Sequence, residues 1–327
     1  MGDTPAPVNQ VYTSTQAAKS MLAALRYLSV LPRTVRMDFS SDFIPGGGAT
    51  VNVLKPVSAG TAKVYTPADR AGGDPIEYGV VSQEYVPVKL ENALYNAIEL
   101  PDEWATFDLK SLTEQVLIPQ AKSVVDGLPV PLVTLMEAVK APTVSGSGAD
   151  VATTAATALK FYDDGSNALK VIGKLRARLN ANKVPLTGRT LAVGPGVEAA
   201  ILSLPQLQKV NEAGTSSLLR EATIGRLFGF DIVAAFDLAE DKAVAYQKDA
   251  FAFVTRVPRL PGGAPQGATV AQDGYSLRHI MHYNPTYRQD QSVVDTFYGA
   301  TVLEPKAAIA AGLTEAPSTD DGDGEVE

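Results

Sequence analysis

Apolar residues recur with a helical period at Ala18, Met21, Leu22, Leu25 and Leu28, and predict a helix over 13–31. Thr13 and Gln16 stand at capping-box spacing at its start, and Pro32 stops it. The pattern then changes in kind. Over 35–90, Gly and Pro interrupt short alternating runs: Val51 and Val53 stand opposite Asn52, and Val86, Val88 and Leu90 opposite Pro87 and Lys89. This predicts a long two-stranded excursion with its far end at 58–79. A bare hairpin is marginal in water, so such a projection gains stability from contact with something else.

Helical spacing returns after Trp104. Ser111 and Glu114 have capping-box spacing, followed by Leu112, Val116, Leu117, Ala121, Val124 and Val125, with Pro119 positioned to kink or divide the helix. Residues 141–150 read as a loop, and 164–182 as a helix with Ala168, Ile172, Leu175 and Leu179 on one face. From Val184 strands and helices alternate, with a strand at 190–193, a Gly194-Pro195-Gly196 turn and a helix at 197–204. Residues 225–236 read as turn plus strand, 243–255 as one or two strands, and 257–268 as a loop. Two extended runs close the pattern, 275–283 and 291–303, rich in Val, Tyr, Phe and Thr. Asn284-Pro285-Thr286 turns the chain between them.

Composition narrows the function classes. The chain has 327 residues, a length suggesting about two domains, and a 45% hydrophobic content that supports a core without staples. It has no cysteine, so disulfides, thiol nucleophiles and thiolate metal sites are excluded. No apolar run is long enough to span a membrane, and no secretory signal is read at the start. Of the net charge of −8, six acidic residues fall in 311–327 with no basic one. The remainder is close to neutral and carries no basic nucleic-acid footprint.

Val184-Pro185-Leu186-Thr187-Gly188-Arg189-Thr190-Leu191-Ala192-Val193-Gly194-Pro195 resembles the phrase that opens the axial domain of tailed-bacteriophage major capsid proteins. Gly225-Arg226-Leu227-Phe228-Gly229-Phe230-Asp231-Ile232-Val233 is similar to their turn into a strand, and Phe297-Tyr298-Gly299-Ala300-Thr301-Val302-Leu303 to their closing strand. The order of elements over 13–305 resembles that family too, coat proteins of actinobacteriophages most of all. The resemblance implies an α+β capsid fold. It comprises an N-terminal arm (1–34), an extended β loop (35–100), a spine helix and peripheral domain (101–185), an axial domain (186–256), closing peripheral strands (257–310) and an acidic disordered tail (311–327).

It also implies a structural protein, not an enzyme, that assembles with itself in pentamers and hexamers into an icosahedral head. Scaffolding and portal proteins are the expected assembly partners, and packaged double-stranded DNA is enclosed without sequence-specific contact. The expected location is the virion capsid, assembled in the cytoplasm of the bacterial host. Gly46, Gly47, Gly48, Gly72 and Gly73 are the expected hinges, and Leu22, Leu25 and Trp104 the expected contact residues. Two alternatives are a bacterial nanocompartment shell, which encloses protein cargo, and a nucleotide-binding α/β enzyme.

The motifs that resemble chemical sites have plainer readings. Gly194-Pro195-Gly196 lacks the third glycine of a dinucleotide fingerprint, which is replaced by Ala199, and Pro195 removes an amide. Gly46-Gly47-Gly48 lacks the Lys-Ser/Thr of a phosphate loop. His279 and His282 fall on opposite faces of a strand, which argues against shared metal ligation. Asp321-Gly322-Asp323-Gly324-Glu325 lacks the remaining ligands of a calcium loop. No nucleophile elbow is present. The expectation is therefore no cofactor, no metal and no catalytic residue.

Overall fold

A computed structural model describes residues 18–19, 21, 30–37, 49–55, 62–73, 75–76, 78, 81, 83–90, 92–107, 113–140, 159–204, 225–262, 266–272 and 274–315. In chain order the first elements are β1 (Thr50–Leu54), α1 (Pro67–Gly72), β2 (Tyr85–Lys89), β3 (Asn92–Pro101) and α2 (Asp102–Phe107). A π-helical turn, Thr113–Leu117, then leads into α3 (Ile118–Gly127), and α4 (Val130–Glu137) follows. After β4 (Lys160–Tyr162) come α5 (Ala168–Ala181), β5 (Arg189–Val193), α6 (Pro195–Leu202), β6 (Arg226–Leu227) and β7 (Phe230–Ala234). The remaining strands are β8 (Lys242–Gln247), β9 (Phe251–Arg256), β10 (Gln266–Gln272), β11 (Tyr275–Asn284), β12 (Gln289–Val302) and β13 (Ala308–Thr314).

These strands make three sheets. A six-stranded mixed sheet has the order β4-β13-β8-β5-β7-β6, with α5 and α6 packed on it. A five-stranded sheet has the order β10-β11-β12-β3, with β9 also on β12, and α3 and α4 cover it. The third is the β1–β2 pair. The two large sheets share one apolar core, which includes Leu191, Val193, Val244 and Tyr246 from the first and Phe251, Phe253, Leu277 and Val294 from the second. Their link is short: β8 passes into β9 through the single 3-10 turn Lys248–Ala250.

The closing hairpin matches its sequence pattern. β11 and β12 pair antiparallel from Arg278↔Asp295 to Asn284↔Gln289, with Pro285 in the turn. The excursion is also two-stranded, with Val51 facing Val88 and Val53 facing Val86. Its base is not bare, because Val51, Val53, Val88 and Leu90 pack with Ala252, Val254 and Leu303. Gly299 makes that seat possible: a Cβ there would overlap the Lys89 carbonyl oxygen and press on Val88 and Leu90. Of the helix expected over 13–31, Ala18, Lys19 and Met21 are helical, with Ala18 and Met21 buried; Leu31 already belongs to a 3-10 turn, Leu31–Thr34, and residues 13–17, 20 and 22–29 lie outside the described residues.

Several boundaries are corrected. Residues 311–314, read as the start of the polar tail, belong to β13, where Ala311 is buried between β8 and β4. These four residues carry no charge, so they pair while the charge begins at Glu315. Residues 92–100, read with the extended loop, form with Pro101 a full strand of the five-stranded sheet, paired with β12 over its whole length. Residues 266–268, read as loop, already belong to β10. Pro119 stands where the helical run changes type: the π-helical turn Thr113–Leu117 ends just before it and α3 continues from Ile118, so the run is divided there as its sequence predicts.

Candidate assembly surfaces

The outer part of the excursion is built to stand without a core. At its neck Lys55 donates its backbone N–H to the Glu84 carbonyl at 2.9 Å, and the two side chains pair at 3.0 Å. Farther out, α1 buries none of its residues and is held by its own ends. Thr66 Oγ1 accepts from the Asp69 N–H at 3.3 Å, and Asp69 Oδ2 accepts from the Thr66 N–H at 2.6 Å, a capping box with Pro67 at the first helical position. The hydrogen bond from the Thr66 backbone, then that from its hydroxyl, holds the Asp69 carboxyl below its ordinary pKa. Around this helix Val64, Ile76, Tyr78 and Val81 are exposed, Tyr78 at 91%. Large apolar side chains exposed at this density are uncommon on the surface of a monomeric protein.

A second exposed aromatic group lies at the end of the six-stranded sheet. Phe228 and Gly229 turn β6 into β7 with φ of 49° and 81°. A bulky residue in that region is unusual, and Arg176 Nη1 fixes the turn by donating to the Phe228 carbonyl at 2.8 Å. Phe228 is exposed in this turn, and Phe236 is exposed beyond the other end of β7.

The expected hinge and contact residues are distributed unevenly. Gly46, Gly47, Gly48, Leu22 and Leu25 lie outside the described residues. Gly72 ends α1 and Gly73, with φ of 76°, is its left-handed cap, so this pair terminates a helix at the far end of the excursion. Trp104 is half-buried in α2, directly after β3. Beside it Asp102 accepts from the Tyr283 hydroxyl at 2.9 Å and lies 3.8 Å from Arg288 Nε, tying this corner to the β11–β12 turn. The Asp102 hydrogen bond raises the Tyr283 pKa. Asp290 is also raised, by desolvation first and by Asp102 next.

Under the covering helix lies a polar group that sequence reasoning missed. Gln120 on α3 donates Nε2 to the Ser292 carbonyl at 3.0 Å, and the Ser292 hydroxyl donates back to Gln120 Oε1 at 2.8 Å. His279 Nε2 lies 3.1 Å from the same hydroxyl. With the serine proton committed to Gln120, the ring must donate from Nε2, which leaves buried Nδ1 as an acceptor without a partner. His279 is 2% exposed, and burial lowers its pKa. His282, three residues on, is exposed, so the two rings share no site. The signal was hidden by distance along the chain, since Gln120 and Ser292 are 172 residues apart.

The glycine turn after β5 also has a structural reason. Gly194 precedes α6, and a Cβ there would overlap the Ala239 carbonyl oxygen; one at Gly196 would come within 2.9 Å of Glu240. Both glycines let the helix start dock on 239–240, the space a phosphate would need. Among the described residues no three His, Asp or Glu side chains group as a metal site. No helix among them is long and apolar enough to cross a membrane.

No protein-family model matches the sequence, and no curated protein matches it. Solved structures match in fold. A structure from Mycobacterium phage Che8 aligns with a TM-score of 0.57 over 86% of this chain and 90% of that one, at 18% identity. The mature capsid of bacteriophage PhiM1 gives 0.53 over 83% and 84%, at 14% identity. The capsid of cyanophage P-SCSP1u gives 0.52 over 83% and 85%, at 12% identity. The chain therefore has the fold of phage capsid proteins.

Proposed function

We propose that this chain is the structural subunit of an icosahedral phage head that encloses double-stranded DNA. The observation that carries the reading is the capsid fold joined to an excursion whose outer apolar side chains, Val64, Ile76, Tyr78 and Val81, are exposed among the described residues. The seat of that projection is buried and its end is not, as expected of an element that reaches onto a neighbouring copy. Fully burying one Val- or Ile-sized side chain is worth about 1.5–3 kcal/mol, so a few per contact suffice when each subunit makes several. Closure then multiplies modest contacts into a stable shell.

In this reading residues 1–34 serve as an arm and the excursion as the extended loop, with Gly46, Gly47 and Gly48 as its hinge. Leu22, Leu25 and Trp104 contribute contacts. The copies are arranged as pentamers and hexamers, scaffolding and portal proteins assist assembly in the host cytoplasm, and DNA is held without sequence-specific contact. The role is mechanical rather than catalytic.

Electron microscopy of the expressed protein tests the reading directly. Closed shells are expected, together with a soluble body that fails to close once residues 1–31 are removed. A small oligomer that binds nucleotide tightly would overturn the proposal, and normal shells from the shortened chain would overturn the role of the arm.

A further inference from the structure

Between Gly165 and Arg189 the sequence holds six basic residues and no acidic one, within a chain of net charge −8. Most of them lie on α5. Its buried face is Ala168, Val171, Ile172, Leu175 and Leu179. Lys170, Lys174 and the half-buried Arg178 follow at i, i+4 and i+8, one row along the flank of that face. Both lysines are exposed, and neither makes an ion pair among the described residues. Like charges at this spacing repel each other, so the row favours an anion laid along it.

The opposite extreme of charge is the end of the chain. From Glu315 onward there are six acidic residues (Glu315, Asp320, Asp321, Asp323, Glu325 and Glu327) and no basic one. The fold brings the start of this segment to α5. Gly312, Leu313 and Thr314 of β13 pair in parallel with β4, and the Asp163 N–H donates to the Thr314 carbonyl at 3.1 Å. β4 then runs through one turn into the first residues of α5. At the other end of the helix, Asn182 Nδ2 donates to the Lys306 carbonyl at 2.8 Å, just before β13 begins. α5 therefore lies antiparallel along β13, and the chain leaves the body at the N-terminal end of the helix. The helix dipole favours negative charge at that end. Asp163 and Asp164 stand in the turn before the helix, and the basic row lies beyond them. Length is sufficient: twelve further residues span up to roughly 40 Å when extended, against about 21 Å for a helix of this size.

We propose that the acidic C-terminal segment folds back over α5 of its own chain and neutralises the Lys170, Lys174 and Arg178 row. The segment is then a built-in screen that keeps a basic face from holding polyanions. This inference does not depend on shell formation, because the contact lies within one chain.

Carbodiimide coupling of the full chain, mapped by mass spectrometry, tests it. Amide links are expected from the carboxylates of 320–327 to Lys170 and Lys174, falling about tenfold at about 1 M salt, where screening acts over only about 3 Å. Mixing isotope-labelled with unlabelled chains separates links within a chain from links between chains. Links mainly between chains, or mainly to other lysines, would overturn the proposal. As a second measurement, a short DNA duplex is titrated against the full chain and a chain ending at Glu315. Removal of the segment should tighten binding about tenfold at low salt, with a salt slope near −3 for three phosphate contacts, and K170A/K174A in the shortened chain should abolish the gain. Equally tight binding of the duplex by both chains would place nucleic acid on the row and overturn the proposal.

Discussion

His279 shows how one residue couples two elements and sets a pH dependence. Its ring is held between α3 and β12 through Ser292, with one nitrogen bonded and the other buried without a partner. Burial lowers its pKa. Above the ordinary histidine value of about 6.5, folded and unfolded chains both hold a neutral ring, and folding carries no proton penalty. Below that value the unfolded chain takes up a proton that the folded chain resists, so stability falls until the lowered folded pKa is reached. Asp290 acts in the opposite sense: its pKa is raised in the fold, so its protonation favours the folded chain in the carboxylate range. Urea midpoints between about pH 5 and 8 should decline on the acid side, and H279Q should flatten that decline. An unchanged slope in H279Q would remove His279 as its source. S292A takes the hydroxyl from between Gln120 and His279, and should cost about 1–3 kcal/mol at neutral pH in the same measurement.

The excursion makes the corresponding case at the level of elements, where its base and tip answer to different forces. The base depends on close approach to β12, so G299A should displace β2 from its seat. An overpacked core position typically costs about 1–3 kcal/mol, readable as a lower urea midpoint. At the tip, Val64, Ile76, Tyr78 and Val81 are exposed among the described residues. I76S with Y78S should leave the stability of soluble subunits within about 0.5 kcal/mol while abolishing shells seen by electron microscopy; intact shells would show that this surface makes no contact. How much of this was legible depended on whether a segment's own residues chose its structure. Tyr, Val and Thr in β11 and β12, with Pro285 between them, wrote the hairpin locally. β3 did not, because Asn92-Ala93-Leu94-Tyr95-Asn96-Ala97-Ile98 has few β-branched residues and is extended by pairing with β12. Ala308–Thr314 is similar, an alanine-rich run drawn into a sheet by β8 and β4. The tip helix did carry a signal, Thr66-Pro67 followed by Asp69, but it was buried among Gly and Pro residues that read as loop. The Gln120, Ser292 and His279 group had no local trace, because only the tertiary fold brings its members together.

Across the whole molecule, the question is whether the two large sheets are separate units or one. They differ in strand order and in their covering helices, yet their apolar residues form one cluster. The junction is the sequence from β8 to β9, where nearly every residue of Ala243 to Thr255 is buried. Tyr246 and Phe251 meet edge to face there, with centroids 5.5 Å apart. The Tyr246 hydroxyl bonds Thr34, so the segment after the N-terminal arm is fastened at the same place. Burial pushes the Tyr246 hydroxyl well above its ordinary pKa, which keeps it neutral. Arg36 adds a backbone bridge to β9, its carbonyl accepting from the Phe253 N–H at 2.9 Å. A core continuous through both sheets leaves no boundary along which they would unfold separately. F251A removes a ring from the shared core, and such truncations cost about 3–5 kcal/mol. Calorimetry of soluble subunits should show one unfolding transition, displaced as a whole to lower temperature in F251A. Two transitions, only one of them moved by the substitution, would mean that the sheets fold independently and that the continuous core does not couple them.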